Sequence, residues 1–519
     1  MSHFFFPIFL PRSNELSTLL NLGGNVVSIS QTITDFVTLA IQAGGFMELD
    51  RLYLQNRILA MVGEETLESI SPTLVTKTSL ELLDELVDQA KKNDIIQPET
   101  VDLEIFEAQL MDFLTPPPSV VNALFAQHYE KAPVDATNYF YKLSKENDYI
   151  KTRAIAKNIV FPAETEYGQL EITINLSKPE KDPKQIAATR QATQLDYPKC
   201  VLCMENEGYK GRVNYPARTN HRIIRMNLDG ESWGFQYSPY AYYNEHSIIL
   251  SEEHRPMVIS KDTFRRLIRI IEVWPHYFVG SNADLPIVGG SILTHDHYQA
   301  GQHVFPMEKA EIEHYFELSD YPLMNAGIVK WPMSVIRLQS PNSKDIVEAA
   351  SMILEKWRNY SDASVSIQAF SADGTPHHTI TPIARRKGQL FELDLVLRDN
   401  NVSAEYPDGI FHPHKEVQHI KRENIGLIEV MGVAILPPRL DDELKEVEKY
   451  VLGEENLIAD YHKKWAEQMK ETHSFNEKNA KEIIQKEVGQ IFTQVLADAG
   501  VYKRTPEGQA AFKRFIDSL

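Results

Sequence analysis

The stretch GGSILTHDHYQAGQH, residues 289–303, places three histidines within nine positions, together with Asp296 and Gln299. In an extended strand, side chains two positions apart point to the same face. His295, His297 and Gln299 would then form a polar row on one face, with Asp296 on the other. Three polar side chains are costly to bury without partners, so the pattern predicts a functional site on a strand of a sheet.

Two glycines stand shortly before this row. Gly289 and Gly290 carry no side chain, so the backbone can pass close to a ligand there, although a Gly-Gly pair is also an ordinary turn signal. Asn282, which ends the preceding strand-like run, either hydrogen-bonds a ligand or caps a turn. We take these three residues as candidate substrate contacts.

The composition is that of a folded protein with an acidic surface. The chain has 519 residues, of which 43% are hydrophobic and 24% charged, with a formal net charge of −19. Such a charge disfavours binding to nucleic acid or to anionic membranes. No run approaches the roughly 20 apolar residues of a membrane span, and the apolar start FFFPIFLPR lacks the basic region of a signal peptide. We therefore expect a cytoplasmic protein.

The sequence pattern divides the chain into four regions. Residues 1–29 are predicted to form a poorly structured extension, and residues 30–160 a helical region with apolar residues at helical spacing. Residues 161–437 contain short runs rich in β-branched and aromatic residues, separated by turns and two helices, and are predicted to form the catalytic region. Residues 438–519 return to charged helical patterns. Sheets mixed with a few helices out of strict alternation predict an α+β fold.

Three serines are predicted to mark helix starts. Ser119 follows a proline-rich loop and is available as the cap of the helix after it. Ser260 and Ser343 each open a Ser-Lys-Asp sequence in front of an amphipathic run, which is a typical N-terminal signal.

Cys200 and Cys203 form a C-x2-C pair and are the only cysteines of the chain. Two thiolates at this spacing can reach one zinc ion about 2.3 Å away, but a redox pair or two buried small side chains would have the same spacing. Two cysteines are too few for a secreted disulfide framework. A zinc ion would need further ligands, and His254 and His295 are candidates because each follows a strand-like run.

The pattern His-x-His-x-Gln is suited to chemistry at phosphorus. A neutral imidazole is nucleophilic near pH 7 and can attack phosphorus to give a phosphoramidate, provided that an acceptor holds its other ring nitrogen. A glutamine amide two residues on can donate to a phosphoryl oxygen without competing for the proton. In this interpretation positioned donors meet the developing charge.

Three segments, in this order, resemble the class II hexose-1-phosphate uridylyltransferases found mainly in Gram-positive bacteria. They are LTPPPSVVNALFAQHYEKAPVDATNYFYKLSKENDYI, CVLCMENEGYKGR and GGSILTHDHYQAG. The resemblance covers nearly all of the chain from about residue 30 onward. It implies a histidine-triad-like core of mixed sheets with helices, since these transferases belong to the histidine-triad superfamily.

The resemblance also implies roles for the residues of the row. His297 would be the nucleophile that takes the uridylyl group, and Gln299, where hydrolases of the superfamily carry a third histidine, would support the intermediate through the phosphoryl oxygens. It further implies contacts to the uridine and to the phosphates, from Asn220 and Asn282 and from Gly290 and Ser291 respectively.

The class I members of the same family hold a structural zinc with two cysteines and two histidines. The matching positions here are Cys200, Cys203, His254 and His295. Class I enzymes also have an iron-type site, but the strand that corresponds here carries Glu392 and Asp394. We therefore predict zinc, no second metal of that kind, and no organic cofactor.

The activity that the resemblance implies is the exchange of UMP between UDP-glucose and galactose 1-phosphate in galactose catabolism. The products would be UDP-galactose and glucose 1-phosphate, formed through a covalent uridylyl-histidine intermediate; a homodimer is compatible with this function. One alternative is a nucleotide hydrolase or phosphorylase on the same scaffold, against which Gln299 argues. Another is a zinc-stabilised nucleotide-binding module in which the histidine row is structural.

Overall fold

The computed structural model describes residues 28–97, 101–177, 195–290 and 292–519. The extension predicted over residues 1–29 falls almost entirely outside these ranges. Its last two residues begin the first helix, because the hydroxyl of Ser28 accepts a hydrogen bond from the backbone N–H of Gln31 and so caps that helix. No helix among the described residues is long and apolar enough to cross a bilayer.

Helices make up the first part of the described chain. Their bounds are α1 Ile29–Gln42, α2 Arg51–Met61, α3 Ser79–Lys92, α4 Val101–Asp112, α5 Pro118–Tyr129, α6 Pro133–Glu146 and α7 Thr152–Ile155. The apolar faces of α1 to α4 pack into a core of their own, in which Ile33, Phe36 and Leu86 are fully buried. This core holds the helices together because each of them buries one apolar stripe.

Strands follow, and they form two sheets. Their bounds are β1 Ile159–Thr165, β2 Gly168–Ile174, β3 Ile224–Leu228, β4 Glu231–Tyr237, β5 Ser247–Ser251, β6 Phe278–Gly280, β7 His297–Gly301, β8 Ile312–Phe316, β9 Asn325–Val329, β10 Val335–Ser340, β11 His378–Lys387, β12 Leu390–Asp399 and β13 Val433–Leu436. The large sheet is antiparallel, in the order β3-β4-β5-β7-β6-β11-β12-β10-β9-β8. The small sheet has the order β1-β2-β13, with β13 parallel to β2.

The remaining helices lie between the strands and after them. Their bounds are α8 Lys261–Val273, α9 Pro306–Lys309, α10 Ser343–Arg358, α11 Leu427–Val430, α12 Arg439–Leu452, α13 Asp460–Thr472, α14 Ala480–Ala499 and α15 Pro506–Ile516. Short 3-10 turns occupy Glu48–Asp50, Met204–Asn206 and Ala363–Val365. The predicted α+β class is confirmed, since the chain combines helices with an antiparallel sheet and a small mixed sheet, and the helices do not alternate regularly with the strands.

The helix starts predicted at Ser260 and Ser343 are confirmed, and the cap predicted at Ser119 is wrong. Helix α8 begins directly after Ser260, as expected. Helix α10 includes Ser343, and its cap is Asn342, whose side chain accepts from the backbone N–H of Lys344. Helix α5 starts at Pro118 and therefore contains Ser119, because a proline suits the first helical turn, where its missing N–H has no partner to lose.

The two faces of the large sheet have different neighbours. Helices α8 and α10 cover one face, and a core that includes Trp233 and Tyr298, whose rings stack with centroids 5.1 Å apart, fills that side. Along β7 the side chains alternate, so His297 and Gln299 point to the opposite face. That opposite face is where the candidate site lies.

Candidate active site and metal centre

His297 opens strand β7 and is nearly buried. It pairs with Leu250 of β5, and its side chain is 5% exposed. Its Nδ1 lies 2.7 Å from the carbonyl oxygen of His295, which can only accept, so Nδ1 carries the proton and donates it. The other ring nitrogen, Nε2, is then an unprotonated lone pair. Burial lowers the pKa of His297, which favours this neutral and nucleophilic form.

Gln299, two residues along β7, is held by a histidine that the sequence had not singled out. The Nε2 of His246 lies 3.1 Å from the amide oxygen of Gln299. The backbone N–H of Tyr242 approaches the Nδ1 of His246 at 3.5 Å and can only donate, so Nε2 carries the ring proton and donates it to the glutamine oxygen. The amide N–H groups of Gln299 are thereby turned away from His246.

His246 is itself fixed and neutral. It is 5% exposed, and its ring stacks on Tyr243 with centroids 4.4 Å apart. Burial lowers the pKa of His246 to about 4, against a smaller opposite effect of the hydrogen bond to Gln299. Its protonation state is therefore constant across the neutral pH range. The sequence carried no signal for this contact, since 53 positions separate the two residues.

A cavity of about 560 Å³ adjoins Gln299. Three of the predicted substrate contacts line it, namely Asn282, Gly289 and Gly290. Gly290 packs tightly, because a Cβ atom at this position would lie 2.5 Å from the amide nitrogen of Asn282. The amide oxygen of Asn282 accepts the backbone N–H of Leu427, 2.9 Å away. These contacts place the Gly-Gly turn, Leu427 and Asn282, which follows the end of β6, next to one another in the cavity lining.

The remaining lining comes from a segment that the sequence analysis did not assign to the site. Residues 421–429 contribute it, with Lys421 and Glu429 as its buried charges. The Nζ of Lys421 lies 3.0 Å from a carboxylate oxygen of Glu429 and 2.9 Å from the carbonyl oxygen of Ile435. A cation and its partner carboxylate thus stand within the cavity wall, more than 120 positions after Gln299 in the chain.

The four predicted metal ligands come together as a cluster. Their side-chain donor atoms all lie within 4.8 Å of one another. The Sγ atoms of Cys200 and Cys203 are 3.4 Å apart, and the Nδ1 atoms of His295 and His254 lie 3.2 Å and 3.1 Å from the nearer sulfur. A tetrahedral zinc ion would hold such ligand atoms about 3.3–3.8 Å apart, so the donor set fits a metal ion.

His295 links this cluster to His297. Its Nε2 donates to the carbonyl oxygen of Ser251, 2.7 Å away, which leaves Nδ1 free to bind a metal ion. Its own carbonyl oxygen accepts the Nδ1 proton of His297. The metal cluster therefore holds the backbone group that sets the tautomer of His297.

Other predicted residues lie apart from the cavity of Gln299. Asn220 is buried, its amide donates to the carbonyl oxygen of Asn147 at 2.7 Å, and it lines a different cavity beside Arg218. Its contact with uridine stays a prediction. Ser291 falls outside the described residues. His303 points its Nε2 at the carboxylate of Glu171, 3.0 Å away.

Glu392 and Asp394 occupy a buried ion-pair cluster. Arg385 lies 2.5 Å from each carboxylate, and the Nε of Arg337 lies 2.7 Å from Asp394. All four side chains are at most 5% exposed. The two carboxylates of β12 are thus neutralised by arginines within the sheet.

Comparison with known proteins identifies the family. The N-terminal domain of galactose-1-phosphate uridyl transferase matches residues 44–256, and the C-terminal domain matches residues 270–467. A galactose-1-phosphate uridylyltransferase of Enterococcus faecalis is 60% identical over 490 residues, which are 94% of this chain and 98% of that protein. One of Streptococcus pneumoniae is 57% identical over 94% of this chain and 99% of that protein. Among solved structures, yeast Ap4A phosphorylase in complex with Ap4A is 13% identical with a TM-score of 0.32, over 56% of this chain and 84% of that one. The resemblance drawn from the sequence is confirmed: the chain belongs to the galactose-1-phosphate uridylyltransferase family.

Proposed function

We propose that the protein transfers a uridylyl group from UDP-glucose to galactose 1-phosphate through a covalent bond to His297. The observation that carries the proposal is the tautomer of this residue. Its Nδ1 proton is committed to the carbonyl oxygen of His295, so Nε2 keeps an unshared lone pair. His297 precedes Gln299 by two positions on the same face of β7, and Gln299 lines the cavity of about 560 Å³, which we call the substrate cavity. Membership of the family supports uridylyl transfer as the reaction. The hydrogen bond of Nδ1 supports His297 as the nucleophile.

The reaction then has two displacement steps at the same phosphorus atom. In the first, Nε2 of His297 attacks the α-phosphorus of UDP-glucose, a P–N bond forms, and the P–O bond to glucose 1-phosphate breaks. In the second, a phosphate oxygen of galactose 1-phosphate attacks, the P–N bond breaks, and UDP-galactose leaves. The ring keeps its Nδ1 proton throughout, because the carbonyl oxygen of His295 accepts it in every state.

Gln299 serves as the donor to the phosphoryl oxygens. Because its amide oxygen accepts from His246, its N–H groups are the part of the side chain left to face the substrate cavity. Donors that are oriented before the reaction stabilise charge as it develops and need no reorganisation. His246 is a positioning residue in this scheme, since it acts through Gln299.

Zinc is the metal that we assign to the four-residue cluster. Cys200, Cys203, His254 and His295 would hold it, and a closed set of two thiolates and two imidazoles is typical of structural zinc. When bound, it supplies rigidity to the strand end that carries His297, with no open position for a substrate.

The test is covalent labelling with UDP-glucose that carries radioactive phosphorus in its α-phosphate. We expect the wild-type protein to gain one UMP and to release glucose 1-phosphate, and the label to be acid-labile and alkali-stable, as a phosphoramidate is. His297→Ala should take up no label. His303→Ala is the matched control, because it removes a histidine from the same segment whose Nε2 lies 3.0 Å from the carboxylate of Glu171, and it should label normally.

Two results would contradict the proposal. Equal labelling of the His297→Ala and wild-type proteins would place the nucleophile elsewhere. Continuous release of UMP from the wild-type protein, without an acceptor, would instead favour a hydrolase.

A further inference from the structure

A second cavity, which we call the outer cavity, lies between residues 415–423 and helices α12, α13 and α14. Its volume of about 920 Å³ is within the range of about 300–1,000 Å³ that is usual for small-molecule sites. Four basic side chains line it and only two acidic ones. A cationic cavity is unexpected in a chain whose net charge is −19.

Three of these cations have no counter-charge of their own. Within the described part of the chain, the side chains of Lys415, Arg422 and Lys464 are exposed and form neither a hydrogen bond nor an ion pair. Arg439, the fourth, is paired with Glu443. The neighbour of Lys464 along α13, Lys463, behaves differently, because its ammonium group lies 2.7 Å from the carboxylate of Asp460.

Aromatic rings with unused hydrogen-bonding capacity form the inner wall. Trp465 lines the outer cavity and is 6% exposed, and its indole N–H has no partner among the described residues. His419 also lines it and donates through Nδ1 to the carbonyl oxygen of Glu416, and no group in the described part of the chain bonds to its Nε2. The ring centroids of His419 and Trp465 are 5.3 Å apart.

These two atoms are a donor and an acceptor that protein groups leave unsatisfied. Burial lowers the pKa of His419 to about 4, with a smaller contribution from the neighbouring His462, so Nε2 is an acceptor at neutral pH. Buried polar groups are nearly always hydrogen-bonded, so these two neighbouring rings are a place where the described residues leave hydrogen-bonding capacity unused.

We propose that the outer cavity binds a sugar phosphate as a second ligand, at a site apart from the reaction centre. A phosphate dianion is bound best by several positively charged hydrogen-bond donors. The outer cavity offers three such donors, on Lys415, Arg422 and Lys464. A sugar carries hydroxyl groups that both donate and accept, and these complement the unused donor of Trp465 and the unused acceptor of His419. The inference goes beyond the proposed function, since it concerns residues that take no part in uridylyl transfer.

The outer cavity adjoins the substrate cavity without merging with it. Glu423 lines both cavities, while Gln299 and Asn282 line only the substrate cavity. Arg422 and Lys421 are consecutive residues that line different cavities. Residues 421–424 therefore form the wall between the two cavities, and a ligand in the outer cavity would lie across this segment from the substrate cavity.

The test is isothermal titration of the full-length protein with glucose 6-phosphate, in the presence of saturating UDP-glucose so that the reaction centre is occupied. We expect one equivalent to bind. The double variant Arg422→Gln/Lys464→Gln should weaken this binding by at least about 10-fold, because two charge-assisted contacts are lost. Lys463→Gln is the matched control and should bind as the wild-type protein does.

A second experiment distinguishes recognition of the sugar from recognition of the phosphate. Inorganic phosphate should bind more weakly than glucose 6-phosphate, and Trp465→Phe should weaken only the sugar phosphate. The proposal is overturned if no binding occurs at millimolar concentration, if UDP-glucose displaces the ligand, or if the double variant binds normally. Equal affinity for phosphate and glucose 6-phosphate would overturn the assignment of a sugar.

Discussion

The Nε2 of His246 lies 3.1 Å from the amide oxygen of Gln299, and this contact determines which end of the glutamine faces the substrate cavity. Glutamine has a donor end and an acceptor end of nearly the same shape. Only the donor end can stabilise phosphoryl oxygens. In the proposed mechanism, the buried and neutral His246, which offers a proton to the acceptor end, therefore selects the orientation that can donate to the phosphate.

His246→Phe should therefore lower kcat while the fold is kept. Phenylalanine preserves the stacking on Tyr243 but lacks the N–H, so Gln299 is free to turn its oxygen toward the phosphate. We expect kcat to fall about 10-fold or more with little change in KM, because the lost interaction strengthens in the transition state. His246→Gln, which keeps a donor, should retain more activity than His246→Phe. The measurement is the steady-state kcat and KM of both variants. An unchanged kcat in His246→Phe would show that His246 does not position Gln299.

Substitution of Gln299 should lower kcat more than substitution of His246. Gln299→Ala removes the donor, and we expect kcat to fall about 10²-fold or more. Gln299→Glu is the isosteric variant, which replaces the N–H groups with a negatively charged oxygen facing the phosphoryl group. Its kcat should fall at least as far as that of Gln299→Ala, as measured by release of glucose 1-phosphate from UDP-glucose in a single turnover. A Gln299→Glu protein as active as the wild type would exclude donation by this side chain.

Metal content and stability should fall together in Cys200→Ser. The serine hydroxyl is a poor zinc ligand, and the loss of one of four ligands opens a closed tetrahedral site. We expect elemental analysis to show about one zinc ion per wild-type chain and little in the variant, with a lower Tm. Addition of a strong chelator should lower the Tm of the wild-type protein but not that of Cys200→Ser. Fully active wild-type protein without zinc would contradict the assignment.

The buried state of His246 also predicts a pH dependence of stability. Its pKa is about 4 in the folded protein and near 6.5 when unfolded, so between these values the unfolded chain binds the additional proton. The contribution of His246 to the free energy of unfolding is fully present above about pH 6.5 and declines as the pH falls toward 4. Its total amounts to about 3 kcal/mol.

The measurement for this prediction is the free energy of unfolding in urea at pH 7, 5.5 and 4.5. The loss between pH 7 and 4.5 should be smaller in His246→Phe than in the wild-type protein, because phenylalanine does not titrate. Comparison of the two proteins cancels the contributions of other titrating groups. Parallel curves for the two proteins would show that His246 does not carry this proton linkage.

The histidine row illustrates what local sequence can predict. The alternation of side chains along a strand depends on the backbone alone, so the spacing His-x-His-x-Gln correctly predicted that His297 and Gln299 share a face. The same pattern placed His295 and Asp296 on this strand, which is wrong, because β7 begins at His297. The metal ligands were equally accessible, since the C-x2-C spacing sets two of them and the ligand preferences of zinc suggest histidines for the others. The apolar face of α1 followed from helical periodicity.

The capping residues of helices were predicted less well than the helices themselves. Both Asn342 and Ser343 can cap a helix, and the choice between adjacent candidates depends on backbone angles that the residue types do not determine. At Ser119, the proline before it begins the helix one position earlier.

The sequence by itself determined the family, the α+β class, the polar face of strand β7 and the four residues of the metal cluster, because each depends on short-range spacing or on similarity along the whole chain. Only the tertiary structure decided that His246 contacts the amide oxygen of Gln299 and that Lys421 and Glu429 line the same cavity as Gln299. The order β5-β7-β6 and the return of residues 421–429 to this sheet bring together side chains that are 53 and more than 120 positions apart. Contacts at such separations arise from strand order and packing, which no local pattern specifies.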